Sequence, residues 1–382
     1  MESGNQRQGP GIGCFRNLTM IVLITFLSTN SVIAEPFVGG YLHLTATFSL
    51  DDDIAVREAK IIREIERAKE HGIRILMPFT ATGGRALYPS DVIPDRYYGD
   101  WDPLAFLITE ARNRGLDVYP SVPVLASGGD TPRGILKRHP EWAIRDSNKN
   151  PIGYISPGHP DARDFVLHTL QELVGRYQVK GILLDYLRYP NKRDSHLDEK
   201  SEKQFLDLTG VETVDVSDRG DTPWQMFREA QLTTLMKEIR EGLPGIKLAI
   251  YCWGPHVTRG HNVGQNWAAW ARDGYLDIVN VSGYCYTDNY GERYMDVFRD
   301  RLTNAKALLN EGGNRAEATF CLGIVTSHGR VEEADQIKNY LDVARETGME
   351  GVAIFTTNTL DEFHDIVVAE DYIGEFVTAV EK

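Results

Sequence analysis

Two rhythms of apolar and polar positions alternate along this chain of 382 residues. Short runs dense in Val, Ile, Leu and aromatic residues read as strands covered on both faces, and the stretches between them carry apolar residues at helical spacing. Eight strand-like runs follow one another: "FVGGYLHLTATF", "IRILMPF", "LDVYPSVPVL", "KGILLDYL", "IKLAIYCWG", "DIVNVSGYCY", "TFCLGIVTS" and "GVAIFTTN". Helices are expected between them, among others from Ile54 to His71, Pro103 to Arg114, Ala162 to Tyr177, Trp224 to Gly242 and Val331 to Thr347. In "EHGIRI", "NRGLDV", "RDGYLD" and "ETGMEG" a glycine stands just before a strand, where a left-handed helix cap is wanted.

Eight βα units with no break in composition predict the α/β class and a single (β/α)8 TIM barrel over residues 35–382, with an open doubly wound sheet as the alternative. The connections after strands 2, 3 and 4 are long: Thr80 to Asp102, Ala126 to Asp161 and Tyr189 to Pro223. Such loops on the C-terminal face of a barrel build binding sites. They hold Tyr88, Tyr97, Tyr98, Trp101, Trp142, Tyr154 and Trp224, flat surfaces on which sugar rings stack or which pin the loops themselves.

The first 34 residues differ from the rest. Arg16 precedes the apolar stretch "LTMIVLITFL", and "SVIA" supplies a processing site before Glu35, so residues 1–34 are expected to be a signal peptide and the product to be secreted or periplasmic. The stretch is too short to span a bilayer, so no stable membrane span is expected once the leader is removed. A formal charge of −14 argues against nucleic acid or anionic lipid as a partner. Beyond the leader, Cys252, Cys285 and Cys321 are odd in number and lack metal-ligand spacing; they read as small buried residues, with no disulfide framework, metal or cofactor expected.

In "VKGILLDYLRYP" a buried strand ends in Asp185, with Arg188 three residues on. The tip of a barrel strand is where catalytic groups stand, although an Asp185–Arg188 ion pair that merely stabilises the loop would explain the same residues. Glycosidic cleavage uses two carboxyl groups, about 5–5.5 Å apart for retention and about 6.5–9.5 Å for inversion. Asp288, just past the sixth strand, is the expected second group, with Glu362 next in line; "TLDE" also reads as a capped helix start. His43, Arg188, Trp253, Tyr284, Asn358 and Glu362 are the expected substrate-binding residues, all near strand ends. Asp288 is expected to hold the proton, because Arg188 favours the charged form of Asp185. The other common barrel chemistries lack their residues: "YLHLT" offers His43 without a His-x-His pair, Lys180 and Lys247 sit at strand starts, and no glycine-rich phosphate cradle follows strands 7 and 8.

The segment "HPEWAIRDSNKNPIGYISPGHPDARDFVLHTLQELVGRYQVKGILLDYLRYP" resembles the core of the glycosyl hydrolase-like family 10 proteins, as does "QNWAAWARDGYLDIV" before strand six. The matching features are His139 to Trp142, Pro157 to Arg163 and Gly181 to Pro190; Lys180, Asn266 and Val281-Ser282 depart from the family pattern. The resemblance implies an exported barrel glycoside hydrolase acting on a polysaccharide, with peptidoglycan glycan strands among its substrates. In related barrels a strand-four Asp is the nucleophile and a strand-six Asp the acid/base, positions that Asp185 and Asp288 match. A carbohydrate-binding barrel without catalysis is the alternative, and a second carboxylate near Asp185 discriminates the two.

Overall fold

The computed structural model describes residues 35–191, 196–212, 223–313 and 315–381. The leader expected over 1–34 and much of the connection expected over 189–223 lie outside the described residues.

Nine strands form one sheet: β1 (Phe37–Leu42), β2 (Ile75–Pro78), β3 (Asp117–Val118), β4 (Ser121–Pro123), β5 (Gly181–Asp185), β6 (Lys247–Cys252), β7 (Ile278–Ser282), β8 (Glu317–Gly323) and β9 (Gly351–Phe355). Their order is β3-β2-β1-β9-β8-β7-β6-β5-β4, and every neighbouring pair runs parallel. The run "LDVYPSVPVL", expected as one strand, supplies both β3 and β4. Pro120 breaks it because proline has no N–H to give the ladder, while its carbonyl still accepts from the Leu183 N–H at 3.0 Å. Since β3 pairs with β2 and β4 with β5, the two edges of the sheet are consecutive pieces of one segment. Phe79 bridges to Ser121, and the sheet curls back on itself.

β5 is buried throughout, as its apolar run requires. It opens on Gly181 because a Cβ there would enter the Tyr119 ring. Helices cover the outside at Ile54–Glu70, Pro103–Asn113, Pro160–Tyr177, Pro223–Gly242, Tyr294–Glu311, Ala334–Glu346 and Tyr372–Val380. The four expected cap glycines, Gly72, Gly115, Gly274 and Gly348, take φ of 80°, 82°, 79° and 78°. That is the left-handed region in which glycine meets no Cβ penalty. No described helix is long and apolar enough to cross a membrane.

Between β4 and helix Pro160–Tyr177 lies a separate three-stranded antiparallel sheet of Ala126–Gly129, Pro151–Ile155 and Ala143–Arg145. Arg163 fastens its exit: Nη1 donates to the carbonyls of Pro157 and Gly158 at 3.2 and 3.1 Å, and Nε to Glu238 at 2.8 Å. Because the strands are parallel, the residues that follow their C-terminal ends share one end of the sheet. Asp185 closes β5; Trp253, Tyr284, His43 and Asn358 follow β6, β7, β1 and β9.

Candidate functional site

Asp185 is 7% exposed at the last position of β5. The next residue, Tyr186, has φ of 52°, uncommon for a side chain of its size. This turn directs the Tyr186 N–H onto Asp185 Oδ1 at 2.7 Å. Arg188 makes no ion pair with the carboxylate. Its guanidinium lies over the rings of Tyr186 and Trp253, 4.9 and 5.0 Å from their centres, and Nη1 donates to the Tyr189 carbonyl at 3.2 Å. The ion-pair explanation of Asp185 therefore does not hold. A correction to the expected electrostatics follows: burial raises the Asp185 carboxyl from 3.8 to about 6, outweighing the Tyr186 N–H and Arg188, which act the other way. Arg188 is spent on aromatic faces, so desolvation decides.

The neighbours of Asp185 inside the sheet are Tyr41 and Cys321, both buried, and Tyr251, half-buried; each is raised by burial and by the Asp185 charge. Cys321 is expected from the sequence only as a small buried residue, and neither tyrosine is among the expected site residues. The available signal was strand alternation: Tyr41 shares a face with His43, and Tyr251 with Trp253, two residues apart.

Two cavities open on this end of the sheet. One of about 370 Å³ is lined by His43, Phe79, Arg133, Tyr154 and Tyr186, among others. The second, about 170 Å³, is lined by Tyr251, Trp253, His256, Tyr284, Asn289, Tyr290, Arg301 and His328, with Gly254 and Ser282. Arg188, laid across Tyr186 and Trp253, touches a wall of each. His43 stacks on Phe79 at 4.3 Å with its basicity lowered by burial. Tyr284 meets Tyr251, Phe355 and His328 at 5.8, 6.0 and 6.3 Å, and its hydroxyl lies 3.7 Å from Cys321 Sγ. Gly323 leaves room for the Tyr286 hydroxyl and the Tyr284 ring, both of which a Cβ would meet.

The remaining expected residues lie elsewhere on the rim. Asp288 is exposed in the short helix Thr287–Tyr290, its carboxylate against Gly329, while the following Asn289 and Tyr290 line the smaller cavity. The groups that shift Asp185 are Tyr186 and Arg188, with no carboxylate among them. Asn358 is a structural pin: its amide donates to Thr47 Oγ1 and Glu64 Oε2 at 3.2 and 3.1 Å and accepts from the His43 N–H at 3.2 Å. Glu362 is exposed and pairs with Arg330 Nη2 at 2.6 Å. Of the loop aromatics, Tyr88 donates to Glu172, Trp142 stacks on His139 at 4.0 Å, and Trp224 packs on Phe205 and Phe227, while Tyr154 reaches a cavity. Among the described residues, one group has the spacing of metal ligands, namely His71, Asp361 and His364, and it touches neither cavity.

The fold is that of the PgaB (BpsB) glycoside hydrolase domain from Bordetella bronchiseptica, with a TM-score of 0.68 at 12% identity, covering 87% of this chain and 98% of that one. Alpha-L-fucosidase isoenzyme 2 from Paenibacillus thiaminolyticus gives 0.62 at 14% identity, over 89% of this chain and 49% of its own. The chain belongs to the glycosyl hydrolase-like 10 family, whose sequence profile matches residues 41–307. Curated relatives include the glycosyl hydrolase DigH of Escherichia coli K12, 24% identical over 54% of this chain and 50% of that protein. An S-layer-related protein of Niallia circulans is 24% identical over 46% of this chain and 14% of its own length. The chain thus spans half or less of the curated relatives it matches. Asn358 and Glu362 lie beyond the family match.

Proposed function

We propose that the chain is an exported glycoside hydrolase that cleaves a polysaccharide. Its scaffold on this reading is a closed (β/α)8 barrel over residues 35–382, with the third strand broken at Pro120 and residues 1–34 serving as a secretion leader. The observation that carries the reading is Asp185: a buried carboxyl at a strand's C-terminal end, with no ion-pair partner, whose neighbours Tyr186 and Tyr251 line the larger and the smaller aromatic cavity. Family membership supplies the glycosidic class, and peptidoglycan glycan strands are the polysaccharide the family resemblance suggests.

Asp185 acts in its ionised form, the form that the Tyr186 N–H and the Arg188 charge support. It attacks the anomeric carbon or takes a proton from the water that does so. Asp288, exposed to solvent at the rim, delivers a proton to the departing oxygen as the glycosidic C–O bond breaks; water then supplies the new hydroxyl, and its proton goes to Asp288 when Asp185 is the nucleophile, or to Asp185 when it is the base, in which case exchange with solvent restores both groups. Sugar rings stack on Trp253, Tyr186 and Tyr284, and His43 floors the larger cavity.

The test is release of sugars from a panel of polysaccharides by the full chain beside its Asp185→Asn variant. Release by the wild type and none by the variant supports the hydrolase. Saturable binding with no release by either protein favours a carbohydrate-binding barrel, a reading kept because no second carboxylate acts on Asp185.

A further inference from the structure

On the outside of the sheet, residues 358–364 run alongside the C-terminal half of helix Ile54–Glu70, and the two segments meet in three steps. Asn358 bonds Glu64, Asp361 pairs with Arg67, and His364 meets His71. The third step is unlike the others. Two imidazoles face each other, with His364 Nδ1 3.0 Å from His71 Nε2. The Asp361 carboxylate joins them, so that one donor atom from each of the three residues lies within 4.8 Å of the others. His71 is 3% exposed, and the other two are half-buried.

We propose that His71, Asp361 and His364 bind one zinc-class divalent cation. Two imidazoles and a carboxylate are the donors that borderline ions such as Zn²⁺ and Co²⁺ prefer, and three protein donors leave a position for water. Two nitrogens on a tetrahedral zinc stand roughly 3.3 Å apart, so the observed 3.0 Å needs only a slight opening. The surroundings orient the donors. Arg67 Nη1 holds Asp361 Oδ2 at 2.9 Å and leaves the buried Oδ1 without a protein partner. Glu70 stands 3.6 Å from the outer Nε2 of His364, where a carboxylate steers a ligating imidazole. No spacing in the sequence announces the site, because 293 residues separate the two histidines. The ion would clamp the chain after β9 to the helix after β1, away from both cavities. The proposal does not depend on the glycosidase reading.

The experiment takes the full chain stripped by a chelator and titrates it with Co²⁺, read by its visible d–d absorption, and with Zn²⁺, read by calorimetry. Expected are one ion per chain and a rise in the unfolding midpoint of about 4 °C at a hundredfold excess of Zn²⁺ over Kd. His364→Ala and Asp361→Asn should each weaken binding at least about 10-fold, and Glu70→Gln by about 10-fold. The exposed His168→Ala should leave it unchanged. Absence of saturable uptake by the wild type overturns the proposal and leaves a plain imidazole–imidazole hydrogen bond. So does equal affinity in the His364→Ala and Asp361→Asn variants.

Discussion

The tips of β5 and β9 stand at the same end of one sheet, yet they handle their polar groups in opposite ways. Past β9 the amide and both acids have side-chain partners: Asn358 makes three hydrogen bonds, Asp361 pairs with Arg67 through Oδ2, and Glu362 pairs with Arg330. At β5 the nearby cation has gone to the faces of Tyr186 and Trp253, and the carboxyl stays buried with a single backbone donor. An acid at a strand end is common to both; a buried acid with no cation partner belongs to β5 alone of the two. Glu317, at the start of β8 and so at the opposite end of the sheet, is also raised by burial, to about 7, and held by the Phe37 N–H, so the lack of a cation partner marks a working carboxyl only together with a place at the strands' C-terminal ends.

If the comparison is right, substitutions at the two tips should fail in different assays. Asp185→Asn should lower turnover of every substrate by about 10³-fold or more, measured as kcat on the natural polysaccharide and on aryl glycosides. Asp288→Asn should lower turnover of the polysaccharide by about 10²–10⁴-fold and spare aryl glycosides whose leaving group needs no proton. Equal losses on both substrates would take the acid role away from Asp288. Arg188→Ala removes two ring contacts worth about 0.5–1 kcal/mol each and should cost roughly 10-fold in kcat/KM. At the other tip Asn358→Ala should cost about 1–3 kcal/mol in urea unfolding, because it strands a buried Glu64 oxygen, while kcat stays close to wild type. Glu362→Gln removes an exposed pair worth about 0–1 kcal/mol and should change neither assay.

Much of the scaffold could be read from local pattern. The apolar runs mark the strands, and the four cap glycines mark where helices stop, since both signals depend on neighbours close in the chain. Asp185 could be read for the same reason: a continuous apolar run ending in a carboxylate has few explanations. What could not be read depends on partners far along the chain. Asn358 looks like a free rim amide until Thr47 and Glu64, 311 and 294 residues away, claim it. Arg188 looks like the natural partner of Asp185, but the left-handed turn at Tyr186 and the ring of Trp253 draw it aside. The break in the third strand was visible as Pro120, whose missing N–H argues against an unbroken central strand.

The pH dependence follows from the raised carboxyl. If Asp185 works ionised, kcat/KM should rise with pH through about 6; a fall through that range would make Asp185 the acid.

The most direct test of the uncompensated carboxyl needs no substrate: the stability of the wild type and of Asp185→Asn, compared by urea unfolding across pH. The folded-state pKa of about 6 lies above the unfolded value near 3.8, so folding favours the protonated form, and ionisation destabilises the wild type. That penalty is absent below about pH 4, grows as pH rises toward 6 and approaches about 3 kcal/mol at pH 7. The account predicts that the Asn variant is the more stable protein at pH 7, by up to that amount, and that its advantage shrinks as pH falls to 4. A variant that is less stable than wild type at pH 7, or whose difference from wild type does not change with pH, would contradict it.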